Sequence, residues 1–200
     1  ATGVVDWTYK VYAMDAAGNL SNASNNSVTL ETTAQTLSSV GIASNNSTTT
    51  LAKVADVVTL TFTASETIAT PVVTFQSGSA GITASVTHVN TSGNIWTAAY
   101  TANASDTEGS VTYSIAFSDS AGNAGTAVTS GTGSVTFDKT VPTLSSVGIA
   151  SNNSTTTLAK ASNVVTLTFT ASETIATPVV TFQSGSAGIT ASVTHVNTSG

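Results

Sequence analysis

Val58, Leu60 and Phe62 alternate with Thr59, Thr61 and Thr63. An apolar residue at every second position is the period of a strand with one buried and one wet face. Val111, Tyr113, Ile115 and Phe117 alternate in the same way with Thr112, Ser114, Ala116 and Ser118. Between residues 36 and 140 the pattern predicts seven strands, at 37–43, 57–64, 72–75, 82–89, 95–102, 111–118 and 126–137. Gly, Ser and Asn clusters separate them and read as turns. Short strands with one polar face predict an all-β fold of antiparallel sandwiches. Thr is one residue in five; it and Val are stiff at χ1 and favour pleated, half-buried surfaces over helix.

The pattern repeats. Residues 36–93 recur as 143–200, 107 positions later, and only three of the 58 positions differ: Val54, Ala55 and Asp56 become Ala161, Ser162 and Asn163. The start of the chain is also repeat material, because WTYKVYAMDAAGN (7–19) aligns with VTYSIAFSDSAGN (111–123), and SVTLE (27–31) with SVTFD (134–138). A unit of this length is too long for a solenoid coil and suits one sandwich domain. The expected organisation is the C-terminal part of a repeat at 1–32, a complete repeat at 33–140 and the N-terminal part of a third at 141–200.

The expected architecture is a tandem array of immunoglobulin-like sandwiches of about seven strands each. Antibody-type domains bury a Trp against a disulfide. Cysteine is absent here, which removes that arrangement and any thiolate metal site. Trp96 is expected to be a core anchor, with a sugar-stacking aromatic as the alternative.

The strings LTFTASETI (60–68), FSDSAGN (117–123) and VTFDKTVPTLSSV (135–147) resemble bacterial Ig-like tandem repeats of giant secreted surface adhesins, and the resemblance covers essentially the whole chain. It implies a long extracellular or cell-surface protein whose adhesive function resides mostly in other domains. It also implies calcium between domains, which is common among such proteins.

Charge narrows the partners. Four Lys, no Arg and ten acids give a net charge of −6, the wrong balance for neutralising phosphates, so nucleic acid is not expected. No run approaches the ~20 apolar residues of a membrane span. Residues 1–16 lack a basic, then apolar, signal pattern, so export information lies elsewhere or the chain is an internal fragment. The partners expected are neighbouring repeats of the same chain and, in a filament, other copies.

The few acids are placed tellingly. In a seven-stranded sandwich the chain enters at one pole and leaves at the other, so alternate loops share a pole. The strand ending at Ala64 puts Glu66 at the pole where the linker arrives. The strand ending near Ser118 puts Asp119 and Asn123 there too, and the incoming linker carries Glu31. By the repeat, linker Asp138 and Glu173 meet at the next junction. Carboxylates and an amide gathered in this way suit Ca²⁺, which takes six to eight oxygens. The alternative is structural: Asp119 opens an Asx-type turn with Gly122 or Asn123 in the left-handed position, and the remaining acids are solvated. The first linker (ETTAQ, against DKTVP in the second) is the less regular of the two. Asp106 and Glu108 fall at the opposite pole with Asp56, as ordinary turn residues or a second cluster reaching Asp138.

No catalytic constellation is apparent. His88 and His195 occupy one repeat position and have no neighbouring carboxylate in sequence. No phosphate loop, zinc spacing or nucleophile elbow occurs. Asn-x-Ser/Thr at Asn22, Asn45, Asn46, Asn90 and Asn103 reads as chance in a chain of this composition. The expected role is a non-enzymatic extender or stalk, with a filament subunit or a glycan-binding module as alternatives.

Overall fold

The computed structural model describes residues 7–189 and 191–198. The first six residues of the 1–32 segment, and residues 190, 199 and 200 of the third, lie outside the described residues. The chain divides into two compact units, Ala1–Lys139 and Thr140–Gly200. Among the described residues every regular element is a strand, and no helix is long and apolar enough to cross a membrane.

In the first unit, β1 (Trp7–Lys10) and β2 (Ser27–Leu30) form an antiparallel pair. The sandwich follows. One sheet has four strands in the order β3 (Leu37–Ser44), β5 (Val57–Ala64), β9 (Ile95–Thr101) and β8 (Thr87–Ser92). The other has five, in the order β4 (Leu51–Ala52), β11 (Thr136–Phe137), β10 (Gly109–Ala116), β6 (Val72–Ser77) and β7 (Ala80–Gly81). The alternation is borne out: Val58, Leu60 and Phe62 of β5 and Val111, Ile115 and Phe117 of the β10 segment are buried in one cluster. That cluster takes side chains from both sheets, including Val73, Phe75, Trp96 and Tyr100. Trp96 is therefore a core residue.

Two expected strands are broken. The 82–89 segment leaves the five-stranded sheet after β7 and joins the other sheet only at Thr87. At this crossover Val73 N–H donates to His88 Nε2 (3.2 Å). The 126–137 segment is regular only at Thr136–Phe137, because it serves both sheets in turn. Thr132 exchanges backbone bonds with β3 (Ile42 N–H to Thr132 O, 3.0 Å; Thr132 N–H to Val40 O, 2.8 Å), and β11 then pairs with β10 and, in parallel, with β4. Gly131 permits the first contact, since a Cβ there would lie 2.3 Å from Val40 O. The short parallel β4 has too few residues to show a period, so the sequence pattern misses it.

Tyr100 has a buried hydroxyl with no hydrogen-bond partner. Burial, and then the charge of Asp106, push its ionisation up to about 12.

In the second unit β12 (Leu144–Ser151) pairs with β13 (Val165–Ala171) in the register of β3 with β5, with the bulge at the same place. Beyond that pair, among the described residues, the regular element is the short hairpin of β14 (Gln183–Ser184) and β15 (Ala187–Gly188).

Candidate functional site at the linker pole

Backbone pairing brings the linker pole together. Past the end of the β3–β5 ladder, Ser65 N–H donates to Thr36 O (2.9 Å) and Thr36 N–H to Ser65 Oγ (3.1 Å), which sets Gln35 beside Glu66. Past the end of β10, Asp119 bridges Ile68 and Ala69 N–H donates to Ser118 O (2.9 Å), which sets Asp119 beside the Glu66 segment. Asp119 and Asn123 form an Asx-type corner. Asp119 Oδ1 accepts from Gly122 N–H (2.6 Å) and Asn123 N–H (2.8 Å), and Oδ2 accepts from Asn123 Nδ2 (2.7 Å). The same corner forms at Asp15 and Asn19, so it is encoded locally in D-x-A-G-N.

The linker docks onto this corner. Asn123 Nδ2 donates to Glu31 Oε2 (2.7 Å) and Glu31 O (3.0 Å). Gln35 Nε2 donates to Glu66 Oε1 (2.7 Å), Asp119 Oδ2 (3.1 Å) and Thr33 O (2.7 Å). The expected convergence of Glu31, Glu66, Asp119 and Asn123 is thus present, through a residue the sequence reading missed. Gln35 gives no signal in sequence, since a linker glutamine is chemically ordinary; yet it is only 2 % exposed.

The electrostatics are unbalanced. Neutral amides donate to all three carboxylates. A carboxamide NH2 has two protons, yet Gln35 Nε2 and Asn123 Nδ2 each face three acceptors. Gln35 Oε1 is buried with no partner. Glu31 and Asp119 share the Asn123 amide, and a proton on one carboxyl is drawn towards the other. This contact holds Asp119 well below the usual carboxylate range, assisted by Asn123 and Gly122. It raises Glu31, and desolvation adds to the rise. The pair therefore takes up its proton on Glu31.

Among the described residues, no three acidic or histidine side chains form a group that could hold a metal as they stand. At this pole the two amide NH2 groups bridge the carboxylates.

The other predicted acids, Asp138 and Glu173, belong to different units. Asp138 follows β11 at the end of the first unit, with its N–H donating to Ala52 O (2.9 Å). Glu173 follows β13 in the second unit. There Thr143 and Ser172 repeat the bonds of Thr36 and Ser65, but the residue before Thr143 is Pro142 where the first copy has Gln35. Glu173 Oε1 is buried and has no partner.

The opposite pole is closed by turn chemistry and a lysine. Asp106, 2 % exposed, accepts from Thr83 N–H (3.1 Å), Thr83 Oγ1 (3.2 Å) and Asn103 N–H (3.0 Å). Lys139 Nζ donates to Ala104 O (3.0 Å) and Asp106 O (2.9 Å), and its N–H to Glu108 Oε1 (2.8 Å). The outgoing linker is anchored there by an ammonium on carbonyls.

No protein-family model, no curated protein and no solved structure matches the chain.

Proposed function

We propose that this chain is a structural extender, part of the stalk of a large repetitive bacterial surface or secreted adhesin built from immunoglobulin-like sandwiches, and that it performs no catalysis. The observation that carries the reading is the treatment of the linkers. Glu31 and Gln35 are bonded into the pole of the domain that follows them, and Lys139 is bonded to the domain it leaves. Near-identical repeats whose linkers are fastened to the domains make length a function of copy number. The resemblance to Ig-like adhesin repeats and the low charge support the same reading.

Calcium belongs to this proposal. The orphaned Gln35 Oε1 and the surplus of acceptors over amide protons fit a divalent cation at the linker pole. Glu31, Glu66 and Asp119 would hold it with Asn123; Asp138 and Glu173 are the corresponding acids of the next repeat. The ion would neutralise clustered negative charge and stiffen the linker. A Ca²⁺ bound among carboxylates and carbonyls is a structural tie that requires no open coordination position for chemistry.

Small-angle X-ray scattering on one, two and four copies of the 36–142 unit tests the rod. Each copy should lengthen the particle by about 40 Å, from strands of ~8 residues at ~3.3 Å rise plus their loops. The increment should hold in calcium and become irregular in chelator. A maximum dimension that does not scale with copy number overturns the stalk reading.

A further inference from the structure

We propose that the free edge of β8 is a lateral docking site for a second copy of this chain, the two β8 strands pairing antiparallel about Val89. The inference goes beyond the stalk reading, since it concerns how neighbouring chains meet side by side, and it involves no ion.

Each sheet of the sandwich has two end strands, and three of these four are covered or too short to extend. The outer side of β3 is covered by the closing segment, through the bonds of Val40 and Ile42 with Thr132. β4 and β7 have two residues each. β8 has six, lies at the end of the four-stranded sheet and is exposed over most of its length. The direction of its backbone groups follows from β9. Ala102 N–H donates to Asp56 O (2.9 Å) and Ala64 N–H to Asn94 O (2.9 Å), so the even-numbered residues of β9 bond to β5. Successive residues of a strand bond alternately to one neighbour and the other. Thr97 and Ala99 therefore bond to β8, through their partners Val89 and Thr87. The backbone N–H and C=O of His88 and Asn90 are left facing away from the sheet. The His88 imidazole is tied inward to Val73 N–H (3.2 Å) and leaves the edge clear.

Charge says what fits there. No strand of the four- and five-stranded sheets contains Lys, Arg, Asp or Glu; Asp56, Glu66, Asp106 and Asp119 all lie in the connections. An open edge is ordinarily guarded by Lys, Pro or an inward-turned charge, and THVNTS has none of these. An ionic partner would find nothing to pair with, whereas another copy meets no like charge along this side of the sandwich. The edge is also complementary to itself. With Val89 on a two-fold axis, His88 of each copy lies opposite Asn90 of the other, and this register satisfies all the outward N–H and C=O groups of both residues. Val89, 49 % exposed, meets its counterpart at a non-hydrogen-bonded position, where Cα atoms are about 4.5 Å apart, and the two side chains cover each other. THVNTS recurs at 194–199, so an array offers one such edge per repeat, and weak single contacts add through effective concentration.

The experiment uses the whole 200-residue chain, followed by sedimentation equilibrium and by amide exchange at low and high protein concentration. Self-association should appear as concentration rises. The His88 and Asn90 amides, fast in dilute solution, should slow with it, while Thr87 and Val89, already bonded to β9, should be slow throughout. Val89→Lys sets two ammonium groups opposite each other and should weaken self-association about ten-fold or more. Thr112→Lys puts the same charge on the outer face of the five-stranded sheet and should leave association unchanged. Both side chains are exposed, so both variants should keep the melting temperature. Val89→Cys, in a chain without other cysteine, should oxidise to a covalent dimer far faster than Thr112→Cys, because Cα atoms about 4.5 Å apart suit a disulfide. A monomer at every concentration, association unmoved by Val89→Lys, or His88 and Asn90 exchange that ignores concentration would each overturn the proposal. Association lost in Thr112→Lys and kept in Val89→Lys would put the contact on the other sheet and overturn it as well.

Discussion

Residues 36–93 and 143–200 differ at three of 58 positions and yet are packed in different ways. In both, the first two strands pair with the same register and bulge, and Ser44 and Ser151 cap the following loop through Leu51 O and Leu158 O. Then the copies diverge. Val40 and Val58 are 8 % and 0 % exposed, whereas their counterparts Val147 and Val165 are 59 % and 42 % exposed. What separates them is the partner strands. In the first copy β9 lies along β5, and β10 lies along β6; in the second, among the described residues, β13 pairs with β12. The hairpin is thus specified by local pairing, and the second sheet by residues 94–137. An apolar face has no buried state until another face covers it.

The sharpest way to break the comparison is to remove the same side chain from each copy. Phe62→Ala should destabilise the sandwich by about 3–5 kcal/mol, because it deletes a fully buried ring and leaves a cavity. Phe169→Ala, at the half-buried counterpart, should cost about 1 kcal/mol or less. Urea unfolding followed by the fluorescence of buried Trp96 reads the first copy. The Phe62 change should move its midpoint strongly, and the Phe169 change should leave it in place. Equal shifts would mean that the two copies share one cooperative core.

A smaller effect isolates the closing strand. Gly131→Ala places a methyl group against Val40 O, where a Cβ would lie 2.3 Å away, so the 131–133 segment must back away from β3. The expected loss is about 1–3 kcal/mol, typical of overpacking, with amide exchange accelerating at Ile42 and Thr132 before the rest of the sandwich. Exchange along β12, in the other unit, should be unchanged. Retained protection at both amides would show that the glycine is not required for closure.

The smallest effect is electrostatic and belongs to the linker pole. Asp119 is depressed below its ordinary value of 3.8, so its contribution is present above that value and lost as pH falls through its folded pKa. Glu31 is raised above its ordinary 4.5, so its contribution is fully present below 4.5 and lost as pH rises through the raised value. Without cation, linker docking should therefore be strongest in mild acid and weaken slightly towards neutral pH. Calcium should restore it there by replacing the proton. Melting temperatures in chelator should decline from about pH 4.5 to neutral, and Glu31→Gln should flatten that decline. A profile of the same slope in the variant would remove the carboxyl pair as its cause.

Much of the architecture was legible in the chain. Alternation of Val58, Leu60 and Phe62 against Thr59, Thr61 and Thr63 determined the strand and its inward face, because side chains alternate across any strand. The duplicated 58 residues determined that the same hairpin would form twice, and D-x-A-G-N determined the corner that appears at both Asp15 and Asp119, because its hydrogen bonds span only four residues. Pole arithmetic even brought Glu31, Glu66, Asp119 and Asn123 to one end. Tertiary structure decided the rest. The 126–137 segment lost its regularity because its backbone groups bond first to one sheet and then to the other. Gln35 joined the site because the pairing of Thr36 with Ser65 aims it between two carboxylates distant in sequence. Burial of the β5 apolar face depends on residues half a domain away in sequence, in β6 and β10 of the facing sheet.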